Sequence, residues 1–133
     1  MHLLGCDYFV DQRDDRLGLA SLVDTIEELG TENTDATLLF DNGDFLPGNP
    51  LADTLAATSN AEETHTMIAA MNCLRYDAIT RGNQEFDYGV PFLCRALGRL
   101  RAHVVSANIR CFDEPALASS FRILARDLRV MTE

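Results

Sequence analysis

The stretch Leu38-Leu39-Phe40-Asp41-Asn42-Gly43-Asp44-Phe45-Leu46-Pro47-Gly48-Asn49-Pro50 carries the reading of the fold. A short apolar run stops abruptly at two acids that bracket Asn-Gly, and a loop with two prolines and a second glycine follows. Apolar residues bounded by turn chemistry in this way predict a buried strand whose end delivers polar side chains into a crevice. In open α/β sheets the carboxyl ends of strands are where ligands bind. A second stretch answers the first: Gly82-Asn83-Gln84-Glu85-Phe86-Asp87-Tyr88-Gly89, after the apolar residues Ala78-Ile79 and Thr80. Two polar loops at two strand ends make one site, and acids meeting an amide there point to an oxygen-rich metal centre.

Working outward, Leu19, Leu22, Val23, Ile26 and Leu29 fall at helical spacing, and Gly30 is expected to close that helix. The strand Ala36–Asp41 follows. Leu51–Ala57 predicts a short helix, and a firmer one starts at Asn60-Ala61-Glu62-Glu63, with Met67, Ile68, Met71 and Leu74 on one face. Tyr76–Thr80 is the next strand. Val90–Leu100 reads as a helix with Phe92, Leu93, Ala96, Leu97 and Leu100 as its buried stripe, and His103–Ser106 as a third strand. Residues 1–16 read as an irregular charged segment, and Phe121–Met131 as a further extended stretch that stops in mid-pattern. Strands alternating with helices predict an α/β fold with a mainly parallel sheet covered by helices.

At 133 residues the chain holds one domain at most. A formal net charge of −10 argues against a nucleic-acid polymer as partner, because phosphate backbones are held by clustered cations. All 11 basic residues are arginines, so P-loop and Schiff-base lysine chemistries are excluded. The four cysteines, Cys6, Cys73, Cys94 and Cys111, lack CxxC spacing; Cys73 and Cys94 lie among apolar residues and read as small buried hydrophobes. Leu3-Leu4-Gly5-Cys6 looks like a lipoprotein cleavage box, yet an export signal needs ~7–15 apolar residues before it. No run approaches the ~20 apolar residues of a membrane span, so no membrane partner is expected.

Together the motifs resemble the calcineurin-like metallophosphoesterases, in the branch of periplasmic 5′-nucleotidases and 2′,3′-cyclic-nucleotide 2′-phosphodiesterase/3′-nucleotidases. The resemblance runs through Asp7-Tyr8-Phe9, Gly18-Leu19-Ala20, the block Asp41–Asp53, Met67-Ile68-Ala69-Ala70-Met71-Asn72, the block Gly82–Gly89, and Val105-Ser106-Ala107-Asn108-Ile109. It implies an α/β sandwich of which residues 1–133 are an incomplete N-terminal part, truncated at both ends. It also implies a phosphoester hydrolase acting on nucleotides or other small phosphoesters, with two divalent metals such as Mn or Zn. Asp44 matches the carboxylate that bridges the metals, which lie ~3.5–4 Å apart in two-metal sites. Asn83 matches the neutral amide ligand.

Directly after Asn83 the pattern and this chain diverge. The resemblance puts a histidine where this chain has Gln84, which can donate a hydrogen bond but cannot shuttle a proton; losing such help costs ~10²–10⁴-fold in rate. Asp87 matches the acid that orients that histidine, and as an alternative it caps the following helix. The family's opening Asp-x-His falls before Met1, and His2 is a poor substitute. Its later metal histidines have no counterpart either.

Asp41 reads as a strand-end hydrogen-bonding residue, His65 as a surface residue, His103 as a core or edge histidine, and Asn108 equally as a turn or a site residue. The expectation is weak metal binding and little or no turnover, the alternative being a non-catalytic nucleotide- or protein-binding module. Self-association through an uncovered sheet is expected. The resemblance implies a periplasmic location, and the absence of a leader implies a cytoplasmic one if Met1 is the true start.

Overall fold

The structure, a computed structural model, describes residues 2–7, 9–32, 37–58, 63–107 and 109. Its centre is a three-stranded, all-parallel sheet in the order β3-β4-β5, formed by Phe40–Asp41, Ala78–Ile79 and His103–Val104. Phe40 pairs with Ala78 and Asp41 with Ile79; Ala78 pairs with His103 and Ile79 with Val104. Flanking bonds lengthen the ladder: Asp77 N–H donates to the Leu39 carbonyl at 2.9 Å, and Thr80 N–H to the Asp41 carbonyl at 3.0 Å. The Asp77 side chain accepts the Leu39 N–H at 2.9 Å, so one residue holds both backbone groups of its neighbour.

Parallel neighbours require crossovers, and helices supply them. Helices α2 (Pro50–Thr58) and α3 (Thr66–Cys73) lie between β3 and β4, and α4 (Val90–Leu97) lies between β4 and β5. Asn49 starts α2 by accepting the Ala52 N–H on its side-chain oxygen at 2.9 Å, which satisfies a free helix donor. The core forms where these helices meet the sheet: Phe45, Leu46, Ile68, Met71, Ile79 and Leu93 are fully buried. Met67, Ile68 and Met71 of α3, and Leu93, Ala96 and Leu97 of α4, are the buried faces that their spacing predicts; Phe92, Leu74 and Leu100 are partly buried. Asn72 ties α3 to the approach of β5, donating to the Arg99 carbonyl at 2.9 Å and accepting the Arg101 N–H at 2.7 Å.

Several expectations from sequence are corrected. The amino-terminal segment is not wholly irregular, since β1 (Cys6–Asp7) and β2 (Gln12–Arg13) pair antiparallel. The first helical stretch begins as a 3₁₀ turn at Leu19–Leu22 and continues as α1 (Val23–Glu32), running through Gly30. Gly30 does not end it because nothing there demands a left-handed residue. Of its apolar stripe only Leu19 is buried; Leu22 and Leu29 are exposed. Leu38 and Phe40 are also exposed, and the Thr37 hydroxyl reaches the Leu29 carbonyl, which places that end of α1 beside the approach to β3. Helix α4 ends at Leu97, where Gly98 caps it, three residues earlier than expected. Cys73 is exposed and Cys94 half-buried, so neither is the core residue its neighbours suggested. Ala36, Asn108, Cys111 and Phe121–Met131 lie outside the described residues.

His65 is the largest correction. It does not sit at the surface in a first helical turn, because α3 begins only at Thr66; His65 is its N-cap and is buried. The ring Nδ1 accepts the Met67 N–H at 3.3 Å, and the ring stands edge-on to Phe92 with centroids 6.0 Å apart. Burial holds its pKa below the ordinary 6.5, with the Ala52 backbone pulling weakly the other way. The unfolded chain therefore binds a proton that the folded chain resists, and protonation of Nδ1 also removes the cap. Stability conferred by neutral His65 is complete above pH 6.5 and is lost as pH falls toward its depressed folded pKa. Urea midpoints between pH 7.5 and 5.5 should fall for the natural protein and fall less for His65→Asn, which keeps a capping oxygen without the titration.

Candidate functional site

The two loops predicted to share a site lie against each other, and glycine is the reason. Gly43 follows β3 with φ +97°, and a Cβ there would lie 2.2 Å from the Gly82 nitrogen. A Cβ on Gly82 would lie 2.1 Å from Asp44 Oδ1. Real Cβ atoms do not approach so closely, so the loops can touch only with hydrogen at both positions. The Asp44 carboxylate thus rests on the Gly82 backbone, and its Oδ1 accepts the Gln84 N–H at 3.1 Å. Asn83, exposed, stands in the chain between Gly82 and Gln84, the two residues that meet Asp44. Asp44 itself has φ +60°, a left-handed conformation that Asp tolerates better than most residues.

Beneath this pair lies Glu85, which the sequence reading passed over. Its side chain is completely buried. One oxygen accepts the N–H groups of Asp44 and Gly82, both at 2.7 Å; the other accepts those of Phe45 at 2.6 Å and Leu46 at 3.1 Å. A buried carboxylate is tolerated when backbone donors solvate it, and charged hydrogen bonds contribute about 1.5–3 kcal/mol each. A signal for it was available. The turn Gly43-Asp44-Phe45-Leu46 leaves successive N–H groups without a sheet partner, and buried donors require an acceptor.

Asp41 behaves as the strand-end residue expected, its Oδ1 accepting the Gly43 N–H at 2.8 Å. Its pKa is raised above the usual carboxylate value, chiefly by burial and further by the charges of Glu85 and Asp44, against the pull of the Gly43 hydrogen bond. Three carboxylates therefore share one corner of the sheet. Gln84 begins a 3₁₀ turn, Gln84–Phe86, with its side chain exposed and its Oε1 3.9 Å from where a Cβ on Gly48 would stand. Asp87 is exposed, and the expected capping alternative fails: the N-cap of α4 is Gly89, with φ +83°. The following residue joins the loops again, since the Tyr88 hydroxyl donates to Asp53 of α2 and its ring packs edge-on against Phe92. Burial first, and then the bond to Asp53, raise the Tyr88 pKa. His103 lies in β5, half-buried, as an edge or core histidine should.

Asp44 and Asn83 offer oxygen donors, which suit a hard or borderline divalent cation. Among the described residues no three of His, Cys, Asp and Glu are gathered so as to hold a metal ion. The donor chemistry fits such an ion, and further ligands would have to complete its shell.

A parallel sheet with an acid loop and a second polar loop meeting at its carboxyl end is the setting, and by its likeness to known proteins the chain belongs to the calcineurin-like phosphoesterase family. It is 35% identical over 114 residues, 82% of its length, to the trifunctional nucleotide phosphoesterase protein YfkN of Bacillus subtilis strain 168. It is also 35% identical over 109 residues, 81% of its length, to the 2′,3′-cyclic-nucleotide 2′-phosphodiesterase/3′-nucleotidase of Yersinia enterocolitica. The chain spans 8% and 17% of those two proteins. The crystal structure of the calcineurin-like phosphoesterase YfkN superposes with a TM-score of 0.71, covering 80% of this chain and 34% of that one. No protein-family model matches the chain.

The raised pKa of Asp41 carries a sign. A carboxylate whose folded pKa exceeds its unfolded one stabilises the fold below the unfolded value, and that contribution is lost as pH rises through the folded pKa. At neutral pH ionised Asp41 is a burden on the metal-free protein. Asp41→Asn keeps the oxygen that accepts from Gly43 and removes the charge, so it should stabilise the metal-free chain at pH 7.5. The gain should shrink toward pH 4; equal gains at both pH values in urea titrations would contradict the assignment.

Proposed function

We propose that residues 1–133 are the N-terminal part of a metallophosphoesterase domain that acts on nucleotides or related small phosphoesters. Asp44 and Asn83 contribute to its divalent-metal centre. The observation that supports this reading is the placement of Asp44 on Gly82, with Oδ1 bound to the Gln84 N–H, so that the residues on either side of Asn83 meet the acid. The names and identities of the relatives support the substrate class. When bound, divalent cations supply the charge that polarises a phosphoryl group. The protein's own contribution is to fix Asp44 in a left-handed loop and to hold residue 84 beside it. Gln84 can donate a hydrogen bond to a phosphoryl oxygen, but it transfers no proton. Asp87, exposed beside it, has no basic side chain at position 84 to orient.

The 133 residues alone therefore turn over little or no substrate and hold metal weakly. The periplasm is the compartment proposed from the kinship; no helix among the described residues is long and apolar enough to cross a membrane. The exposed Leu22, Leu29, Leu38 and Phe40 fit self-association of the isolated chain. With bis-p-nitrophenyl phosphate and added Mn²⁺, turnover should stay near background. Mn²⁺ affinity should be weak and fall at least ~10-fold in Asp44→Asn, an aspartate ligand having lost its charge. Robust, chelator-sensitive hydrolysis would overturn the claim of impairment. Unchanged Mn²⁺ affinity in the variant would remove Asp44 from the centre.

Gln84 also favours a second reading, a pseudoenzyme that binds nucleotide without cleaving it. Calorimetric titration with AMP separates the two: saturable binding without hydrolysis supports it, and no heat at millimolar ligand rejects it.

A further inference from the structure

We propose that Glu85 is the positioning residue of this site, setting the placement of Asp44 without touching the ligand that Asp44 holds. The inference deepens the metal-centre reading and rests on it for its consequence, though its geometry stands independently. Glu85 has no exposed surface, so it cannot offer its oxygens to a bound group, and both are taken by backbone donors. Those donors come from two loops. Asp44, Phe45 and Leu46 follow β3, whereas Gly82 follows β4. One carboxylate therefore pins the ends of two neighbouring strands together at the level where Asp44 leaves the sheet.

The details explain why a carboxylate is needed there. Four N–H groups converge on two oxygens, and only an ionised acid presents acceptors alone on both. An amide at this position would turn an NH₂ group toward backbone donors on one side. The Asp44 N–H is among the four, so Glu85 holds the peptide at which the left-handed φ of +60° is imposed. The Gly82 N–H is another, and it holds the backbone on which the Asp44 carboxylate lies. Both surfaces that define where Asp44 points are thus fixed by the same side chain. The Gln84 N–H, which bonds to Asp44 and not to Glu85, reports on the outcome.

The test follows that reporter. Amide hydrogen exchange is measured in the metal-free chain and in Glu85→Gln and Glu85→Asp, the latter keeping the charge but one methylene short of spanning both loops. Mn²⁺ affinity is measured on the same samples and on Asp44→Asn. In the natural protein the Asp44, Phe45, Leu46 and Gly82 amides should exchange slowly as one group; rapid exchange there overturns the proposal without any variant. In a folded Glu85 variant, protection of the Gln84 amide should drop at least tenfold while that of Ile68 in α3 is kept. Mn²⁺ affinity should drop at least tenfold with it. Retained Gln84 protection in either folded variant overturns the positioning role. If the natural protein and Asp44→Asn bind Mn²⁺ alike while Gln84 protection still depends on Glu85, the metal reading fails and the positioning of Asp44 stands.

Discussion

The contact of Gly43 with Gly82 is the constraint on which the site depends. With a Cβ of one only 2.2 Å from the backbone nitrogen of the other, neither loop tolerates a side chain without moving apart. Separation would cost more than local comfort. The Asp44 carboxylate uses the face of Gly82 as its floor, and the Gln84 N–H meets it only because the second loop passes so near. Parallel pairing of β3 with β4 brings the strand ends level, and the register Asp41 to Ile79 decides that the two loops begin at the same height. A shift of one residue in that register would turn the loops past each other.

Electrostatics then sets the terms of the corner. Asp41, Asp44 and Glu85 bring three carboxylates together, and each is treated differently by its surroundings. Glu85 is buried, with its charge spread into four peptide dipoles. Asp41 has a single backbone donor, is half-buried, and carries a raised pKa in consequence. Asp44 keeps partial access to solvent, and its Oδ1 accepts the Gln84 N–H. Of the three it is Asp44 that stands against the second loop, and the proposed metal falls to it there.

Much of this was legible in the sequence. The apolar run Leu38–Phe40 cut off by Asp-Asn-Gly-Asp marked a strand end, and the buried faces of α3 and α4 followed from spacing. Asp44 and Asn83 were singled out by the family resemblance, and the fold sets Asp44 against the loop that carries Asn83. The failures share a cause: patterns weigh residue type, whereas burial of a polar group depends on partners distant in sequence. Glu85 was passed over because three of its four donors lie 39–41 residues away. His65 read as a surface residue because its shelter is Phe92 of another helix. Gly30 read as a stop because glycine often ends helices, but α1 passes through it. Capping was one of two readings of Asp87, yet Gly89, with its positive φ, is the N-cap of α4.

Position 84 shows how far the scaffold and the chemistry of such a site can separate. What the fold asks of this residue is its N–H, which any amino acid but proline supplies to Asp44. What a phosphoryl-transfer site would ask is a side chain able to carry a proton, and Gln84 lacks one. Because the side chain is exposed, packing places no demand on it. Replacement there would remove proton transfer and leave the loop, the Gly43–Gly82 contact and the Glu85 clamp undisturbed. A site of this design can lose its acid–base function at one position while keeping the geometry that would hold a cation and a phosphate, so retention of the fold is no measure of retained turnover.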